Sequence, residues 1–331
     1  MKVSKSSVSR ILLVALDNLG DLVFASALTP PLHAEFPSAT IDVWCKEYTA
    51  PVAHLIPHTS KVIAADPFWA VAPNRPRPPI VPFLRSVSAV RREHYDIAVL
   101  SEAPWRTAAA VAAARIPVRI GLARHRNRHF LTTVLEAQDA RKPVVSEQAR
   151  LLSALGIHVG DATYRLDPNR LGAVRDRIAR GLPEQFAAFH PFASTRDRCV
   201  PLGEWAELAA VLCERGFAPL WVGTSRELDE IRGTITDPRH FFVDRFNDFS
   251  LTTSAAALSL ASVFVGHDSG PLHIAAAFGV PVVGVFAPGQ PSRTFPQGPG
   301  VWRIIDRPTP VGITASTMLR EIDALHLISA T

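Results

Sequence analysis

Apolar runs of strand length alternate with amphipathic segments of helix length along the whole 331-residue chain, and that alternation leaves few folds open. Ile11–Leu16 reads as a buried strand, Thr40–Trp44 as a second, Lys61–Ala64 as a third and Ile97–Leu100 as a fourth. Helical pieces such as Phe83–Glu93 and Thr107–Arg115 lie between them. Continuous apolar strands joined by helical crossovers are the pattern of a parallel sheet covered on both faces. The rhythm restarts with strand Phe186–Phe189 and helix Leu202–Arg215, whose Trp205, Leu208, Ala209 and Leu212 form one stripe. Strands Pro219–Val222, His240–Val243, Val263–Val265 and Val282–Phe286 follow, with helices Arg226–Ile235, Thr252–Ala261 and Pro271–Phe278 between them. Gly156–Pro168 lacks strong periodicity and marks the boundary. The predicted class is α/β: two doubly wound halves with a cleft between them. Ligands in such sheets sit beyond the carboxyl ends of the strands, so the chemistry is expected in the strand-to-helix loops.

Composition narrows the function classes. At 47% hydrophobic and 20% charged residues the chain is neither disordered nor collagen-like. A formal charge of +5 permits an anionic ligand without demanding nucleic acid. Cys45, Cys199 and Cys213 are widely spaced and odd in number, which fits a reducing cytoplasm and no CxxC metal site. Ile11–Leu16 is too short for a signal sequence, and Ile274–Pro288 is broken by Gly279 and Pro281, so no membrane span is expected. Membrane contact stays open. The Pro-rich stretch Pro67–Pro82 reads as a loop.

Four segments carry chemistry. The loop after the first strand, Asp17-Asn18-Leu19-Gly20-Asp21, is neither GxGxxG nor a P-loop, and it sets Asp21 at the start of a helix, where a carboxylate also suits a cap. In Gly266-His267-Asp268-Ser269-Gly270-Pro271-Leu272-His273 a strand ends and Pro271 fits the first position of a helix. Backbone N–H groups of Gly270, Leu272 and His273 suit a phosphate there, whereas Asp268 is better matched to sugar hydroxyls. The segment His190-Pro191-Phe192-Ala193-Ser194-Thr195-Arg196-Asp197-Arg198 supplies hydroxyl and guanidinium donors of the kind a diphosphate wants, or is a solvated loop. Ala103–Leu135 has no acidic residue but holds Arg106, Arg115, Arg119, Arg124, Arg126 and Arg128, a face for an anionic acceptor or lipid head groups, or a plain basic loop. Its sparse aromatics argue against single-stranded nucleic acid. His54 and His58 lack the pattern of a metal site.

Together these loops resemble glycosyltransferase family 9, best known for ADP-heptose:lipopolysaccharide heptosyltransferases. The resemblance rests on Ile11–Asp21 with its Gly20-Asp21, on Phe36-Pro37-Ser38-Ala39-Thr40-Ile41, and on His190-Pro191 with Ser194, Pro201 and Trp205. Gly223-Thr224-Ser225-Arg226-Glu227, Val265–Ala277 and Pro288-Gly289-Gln290-Pro291-Ser292-Arg293-Thr294 extend it over most of the chain. It implies a GT-B fold of two Rossmann-like domains: residues 1–163 binding the acceptor and 164–313 the nucleotide sugar, with a last helix in 314–331 (Ser316–Leu327) packing back on the first. It implies inverting, metal-independent transfer with no cofactor beyond the ADP-heptose donor.

By the same resemblance Asp21 is the general base. Thr195, Arg198, Ser269, Gly270, Pro271, Leu272 and His273 hold the diphosphate, Asp268 the donor sugar and Glu227 the nucleoside. Asn18, Arg124, Arg126 and Arg128 are candidate acceptor contacts. The implied acceptor is an anionic glycolipid of the lipopolysaccharide inner core, met at the cytoplasmic face of the inner membrane by a peripheral enzyme. The sequence departs from the family in two places: Arg198-Cys199-Val200-Pro201 stands where Lys-Arg-Trp-Pro is frequent, and His267 where Asn or Val is frequent. Another nucleotide sugar, a protein or natural-product acceptor, or a non-catalytic sugar-nucleotide binder are the alternatives.

Overall fold

A computed structural model describes residues 8–70, 77–246, 248 and 250–326. The chain divides into two compact units, Met1–Tyr164 and Arg165–Thr331. In the first, strands β1 (Arg10–Ala15), β2 (Thr40–Cys45), β3 (Thr59–Ala64), β4 (Ile97–Leu100), β5 (Val118–Leu122) and β6 (Thr133–Leu135) form a sheet in the order β3-β2-β1-β4-β5-β6. In the second, β7 (Phe186–His190), β8 (Ala218–Trp221), β9 (Phe241–Phe242), β10 (Val263–His267), β11 (Val282–Phe286) and β12 (Trp302–Asp306) run β12-β11-β10-β7-β8-β9. All strand pairings are parallel. Each sheet is thus a Rossmann-like doubly wound sheet, and its order reverses once, between β1 and β4 or between β7 and β10. At such a reversal the crossovers leave to opposite faces and open a crevice at the carboxyl ends of the two strands.

The strands that flank the reversals are strongly apolar for a physical reason. β1, β4, β7 and β10 are covered on both faces, and every residue of β4, β7 and β10 is buried. Edge strands need no such run. β6 is half-buried throughout and β12 exposes Trp302 and Arg303. Those two strands, and β5 with Arg119 and Gly121 inside it, have no counterpart in the sequence reading, because the signal it used was continuous apolarity.

One helix expectation is corrected. The helix expected to start at Phe83 begins at Ile80, with Pro79 as its N-cap and Pro82 in its first turn, where a missing N–H costs no intrahelical bond. Pro82 is therefore helical, and residues 71–76 of the expected loop lie outside the described residues. The last helix, Ala315–Asp323, packs against helix Leu202–Glu214 of the second unit. Met318 and Ile322 are its buried stripe, Glu204 accepts from the Ala315 N–H at 2.8 Å, and Arg215 pairs with Asp323 at 2.6 Å. Residues 327–331 lie outside the described residues. Among the described residues no helix is long and apolar enough to cross a membrane.

The second unit also fixes one backbone approach by glycine. A Cβ on Gly298 would stand 1.9 Å from the Ala276 carbonyl oxygen, at the end of helix Gly270–Ala277. Backbone cannot give way as a side-chain tip does, so Gly298→Ala should destabilise by at least ~2 kcal/mol, the scale of overpacking. Gly203→Ala, on an exposed helix position with nothing within 4 Å of the added carbon, should stabilise by ~0.5–1 kcal/mol. Urea midpoints of the two variants, moving in opposite directions from the wild type, check the pair.

Candidate active site

In the first unit the reversal point brings together the ends of β1 and β4. The chain leaves β1 through Asp17 and Asn18 into helix Leu19–Ala25, where Asp21 is the third residue and Asn18 the N-cap. This carboxylate satisfies the expected helix-start position, but its surroundings go beyond a cap. Burial first, then the negative charges of Asp17 and Glu102, push the Asp21 carboxyl up to about 7, against the pull of the Asn18 N–H and Lys46. Lys46 and Tyr48 come from the segment after β2. Lys46 Nζ donates to Asn18 Oδ1 at 3.3 Å, Tyr48 Oη lies 3.5 Å from the same oxygen, and Tyr48 Oη accepts the Leu19 N–H at 3.1 Å. Burial together with the nearby Asp21 and Asp17 raises the Tyr48 hydroxyl to about 12, so it stays a donor. Asn18 is exposed with its oxygen engaged, and its amide NH2 is what it offers to solvent.

The acid-free stretch separates into structural and exposed arginines. Arg119 is turned inward, its Nε donating to the Phe130 carbonyl at 2.6 Å, and burial lowers its pKa. Arg124 pairs with Glu102 at 2.7 Å, which ties the loop after β5 to the end of β4. Asn127, fully buried, organises that loop: its NH2 donates to the carbonyls of Ala103 and Leu122 and its oxygen accepts the Arg124 N–H. Arg126 and Arg128 are exposed and have no ion-pair partner among the described residues.

In the second unit the reversal point joins the ends of β7 and β10. Helix Gly270–Ala277 starts there with Ser269 as N-cap and Pro271 in its first turn. Ser269 does not cap with its side chain: its hydroxyl donates to the His267 carbonyl at 3.1 Å, and His190 Nδ1 lies 3.1 Å from the hydroxyl oxygen. The first-turn N–H groups are thereby left to an anion, an arrangement the helix dipole favours. The Leu272 side chain is fully buried, so only its backbone can serve a ligand. His273 is also buried, with Nε2 3.3 Å from Asp268 Oδ1.

Arg198 reaches the same place from the loop after β7. Its Nε donates to the Pro288 carbonyl at 2.8 Å and its Nη1 to Ser194 Oγ at 3.1 Å, while Nη2 lies 3.9 Å from Asp268 Oδ2. Thr294 donates to that carboxylate oxygen at 3.2 Å. Asp268 thus sits beside the cation and keeps its position through three neighbours. Thr195 is the N-cap of the short turn Arg196–Arg198, with its carbonyl accepting the Arg198 N–H at 3.2 Å. Arg196 points elsewhere, paired bidentately with Glu230 and lying over Phe192.

Glu227 opens helix Ser225–Thr234 in a reciprocal capping box with Thr224. Its Oε2 accepts from the Thr224 N–H at 2.7 Å and hydroxyl at 2.9 Å and stands 3.8 Å from His190 Nε2. Burial works to raise the Glu227 carboxyl, but His190 and Thr224 outweigh it and hold it down at about 2. Glu227 is therefore an anion bound to the site through His190, and Oε1 remains for a ligand hydroxyl. Among the described residues no three His, Cys, Asp or Glu are grouped as a metal ion needs.

Residues 83–307 match the sequence profile of "Glycosyltransferase family 9 (heptosyltransferase)". The chain belongs to glycosyltransferase family 9. It is 24% identical over 281 residues to the Escherichia coli lipopolysaccharide heptosyltransferase 3, covering 81% of this chain and 80% of that one. Its structure resembles that of a glycosyl transferase family 9 protein from Veillonella parvula, with a TM-score of 0.81 and 17% identity over 99% of this chain and 100% of the other. It resembles an E. coli heptosyltransferase determined with ADP at a TM-score of 0.77 and 17% identity, covering 96% and 99% of the two chains. The fold is GT-B and the protein is a glycosyltransferase.

Both departures of this family 9 transferase from its relatives' pattern have a local explanation. His267 is buried at the end of β10 against the edge of Trp205, its Nε2 accepting the Val200 N–H at 3.1 Å. Burial drives its pKa down to about 4, so the ring is neutral and pins the Arg198 loop to the sheet. Val200, in the other departure, is buried at 1% exposure, where an apolar side chain is required. No motif in the sequence by itself singles out Lys46, Tyr48, Glu102 or Asn127 in the transferase's first unit, or gives a role to His190 or Thr294 in its second. All but Asn127 and Thr294 lie at or just beyond the carboxyl end of a strand, which was the available signal. Thr294 is in a segment singled out by resemblance alone, and Asn127 looks like any loop polar residue until its burial is seen.

Proposed function

We propose that this enzyme moves heptose from ADP-heptose to an anionic inner-core acceptor of lipopolysaccharide, with inversion, without a metal ion, and with Asp21 as general base. The acceptor hydroxyl oxygen attacks the anomeric carbon as the bond from that carbon to the ADP oxygen breaks, and the hydroxyl proton passes to the Asp21 carboxylate. The observation that carries the reading is the state of Asp21: a carboxylate at the reversal point of its sheet whose pKa, about 7, matches what a base needs at neutral pH. Asn18, Arg126 and Arg128, with Arg124 through its tie to Glu102, would contact the acceptor. Heptose and lipopolysaccharide are taken from its relatives, the lipopolysaccharide heptosyltransferases 2 and 3 of Escherichia coli.

On the donor side, charge grows on the leaving diphosphate. Arg198, Thr195, Ser269 and the helix start at Gly270, Pro271, Leu272 and His273 would hold it, a set of fixed donors that loses nothing to reorganisation during transfer. The Arg198 fork is anchored through Nε and Nη1, which leaves Nη2 for phosphate oxygen. Asp268 would take sugar hydroxyls and Glu227 a ribose hydroxyl. The enzyme would work as a peripheral protein at the cytoplasmic face of the inner membrane.

Calorimetric titration with ADP, UDP, GDP and NAD, each with and without EDTA, tests the donor. Binding of ADP in preference to the others, unchanged by EDTA, is expected. A preference for UDP or GDP would remove heptose as the donor sugar, and loss of ADP binding in EDTA would remove metal independence.

A further inference from the structure

Helix Ile80–Arg92 covers one face of the first unit's sheet. Phe83, Ser86 and Val90 form its inner side, with Phe83 stacked on Trp44 at 5.5 Å. The outer side departs from what a sheet-covering helix presents. At 3.6 residues per turn, Ile80, Leu84, Val81 and the three arginines Arg85, Arg91 and Arg92 fall in one arc about 140° wide. Ile80, Val81 and Leu84 are 48%, 50% and 51% exposed, and all three arginines are exposed. The helix contains no acidic residue, and Glu93 just beyond it is neutralised by Arg10, at 2.7 Å, and Lys61. The adjacent helix Trp105–Ala113 packs against it and adds Trp105, 37% exposed, with the Arg106 guanidinium 4.9 Å above its ring.

The topology places this face. A crossover helix between parallel strands β3 and β4 runs opposite to them, so its first turn, with Ile80, Val81 and Leu84, lies at the carboxyl edge of the sheet. Asp21 and Glu102 are at the same edge. Exposed aliphatics flanked by cations, with an aromatic beside them, suit the boundary between lipid head groups and acyl chains. The alternative occupant, a second copy of the same face, would set arginine against arginine.

We propose that the outer face of helix Ile80–Arg92, with Trp105 beside it, seats the protein on an anionic lipid bilayer. Ile80, Val81 and Leu84 enter the head-group boundary, Arg85, Arg91 and Arg92 contact lipid phosphates, and the Asp21 edge is held at the membrane surface. The purpose of that contact, reaching a lipid-anchored acceptor, rests on the function proposed above; the contact itself does not.

Flotation of the full-length protein with phosphatidylglycerol–phosphatidylethanolamine vesicles, against pure phosphatidylcholine, tests it. The wild type should float with the anionic vesicles only, and less so at high salt. Val81→Asp with Leu84→Asp should weaken the partition at least tenfold, and Arg85→Gln with Arg92→Gln about fivefold per arginine. Circular dichroism and melting should match the wild type in both double variants, because these side chains face solvent. Wild-type protein that ignores anionic vesicles, or folded variants that bind them as well as the wild type, would overturn the proposal. So would a dimer in sedimentation velocity that the aspartate variants dissolve, since the face would then be a self-interface. Transfer to a delipidated acceptor separates the two readings: with transfer intact and vesicle binding absent only the docking fails, and with the reverse only the transferase assignment fails.

Discussion

Asp21→Asn is expected to lower transfer by about 10²–10⁴-fold, the usual contribution of a positioned base, and to make the protein more stable at neutral pH. Asparagine keeps the shape and the helix position but cannot accept the proton. The stability gain follows from the same burial that makes the carboxylate a base. With a folded pKa of about 7 the native state keeps a proton that the unfolded chain, with a carboxyl near ~3.9, has released. Wild-type stability therefore falls as pH rises from about 4 to about 7 and levels off above. At ~1.4 kcal/mol per pK unit the ionised form costs on the order of 2–4 kcal/mol at pH 8, a penalty that the asparagine variant escapes. Urea midpoints should coincide near pH 4 and separate by pH 8, the variant higher. In the wild type, kcat/KM should climb with pH to a plateau above about 7. An active Asp21→Asn, or one less stable than the wild type at pH 8, contradicts the assignment.

Arg198→Ala is expected to cost about 10²–10³-fold in kcat/KM, the range seen when one preorganised donor to developing charge is removed. The side chain is held by the Pro288 carbonyl and Ser194, both outside the sheet core, so melting should change little. Arg198→Lys separates charge from geometry. Lysine restores a cation but cannot keep both anchors while reaching a phosphate, so recovery should be partial and ADP affinity should return more fully than rate. A rate for Arg198→Ala close to the wild type would remove this residue from leaving-group stabilisation and return the task to the helix start at Gly270.

The central strands were readable because strands covered on both faces must be apolar from end to end, as in Phe186–Phe189 or Val282–Phe286. Edge strands β6 and β12 were not, since solvent on one side removes that requirement. The site residues lie where strand-to-helix loops predict, yet spacing alone favours a helix cap for Asp21, and only the family resemblance points to a base. Its coupling to Asp17 and Glu102, and the raised pKa that results, come from β1 and β4 lying side by side although 81 positions separate Glu102 from Asp21. The basic stretch shows the same division. Six arginines can be counted from the chain, but that Arg119 serves the fold and Arg124 serves Glu102 depends on which carbonyls and carboxylates the sheet brings near them.

The α/β class, the two halves, the loops that hold the chemistry and the family they resemble are legible in the chain alone, because hydrophobic period and loop composition are local properties. Packing was needed to establish that the last helix lies on helix Leu202–Glu214, that His267 is a neutral pin, that Glu227 is tied to His190, and that an acid-free arc of helix Ile80–Arg92 faces outward. Those outcomes turn on which distant groups share a low-dielectric neighbourhood and which side of a helix the sheet covers, quantities fixed by packing between elements far apart in the chain.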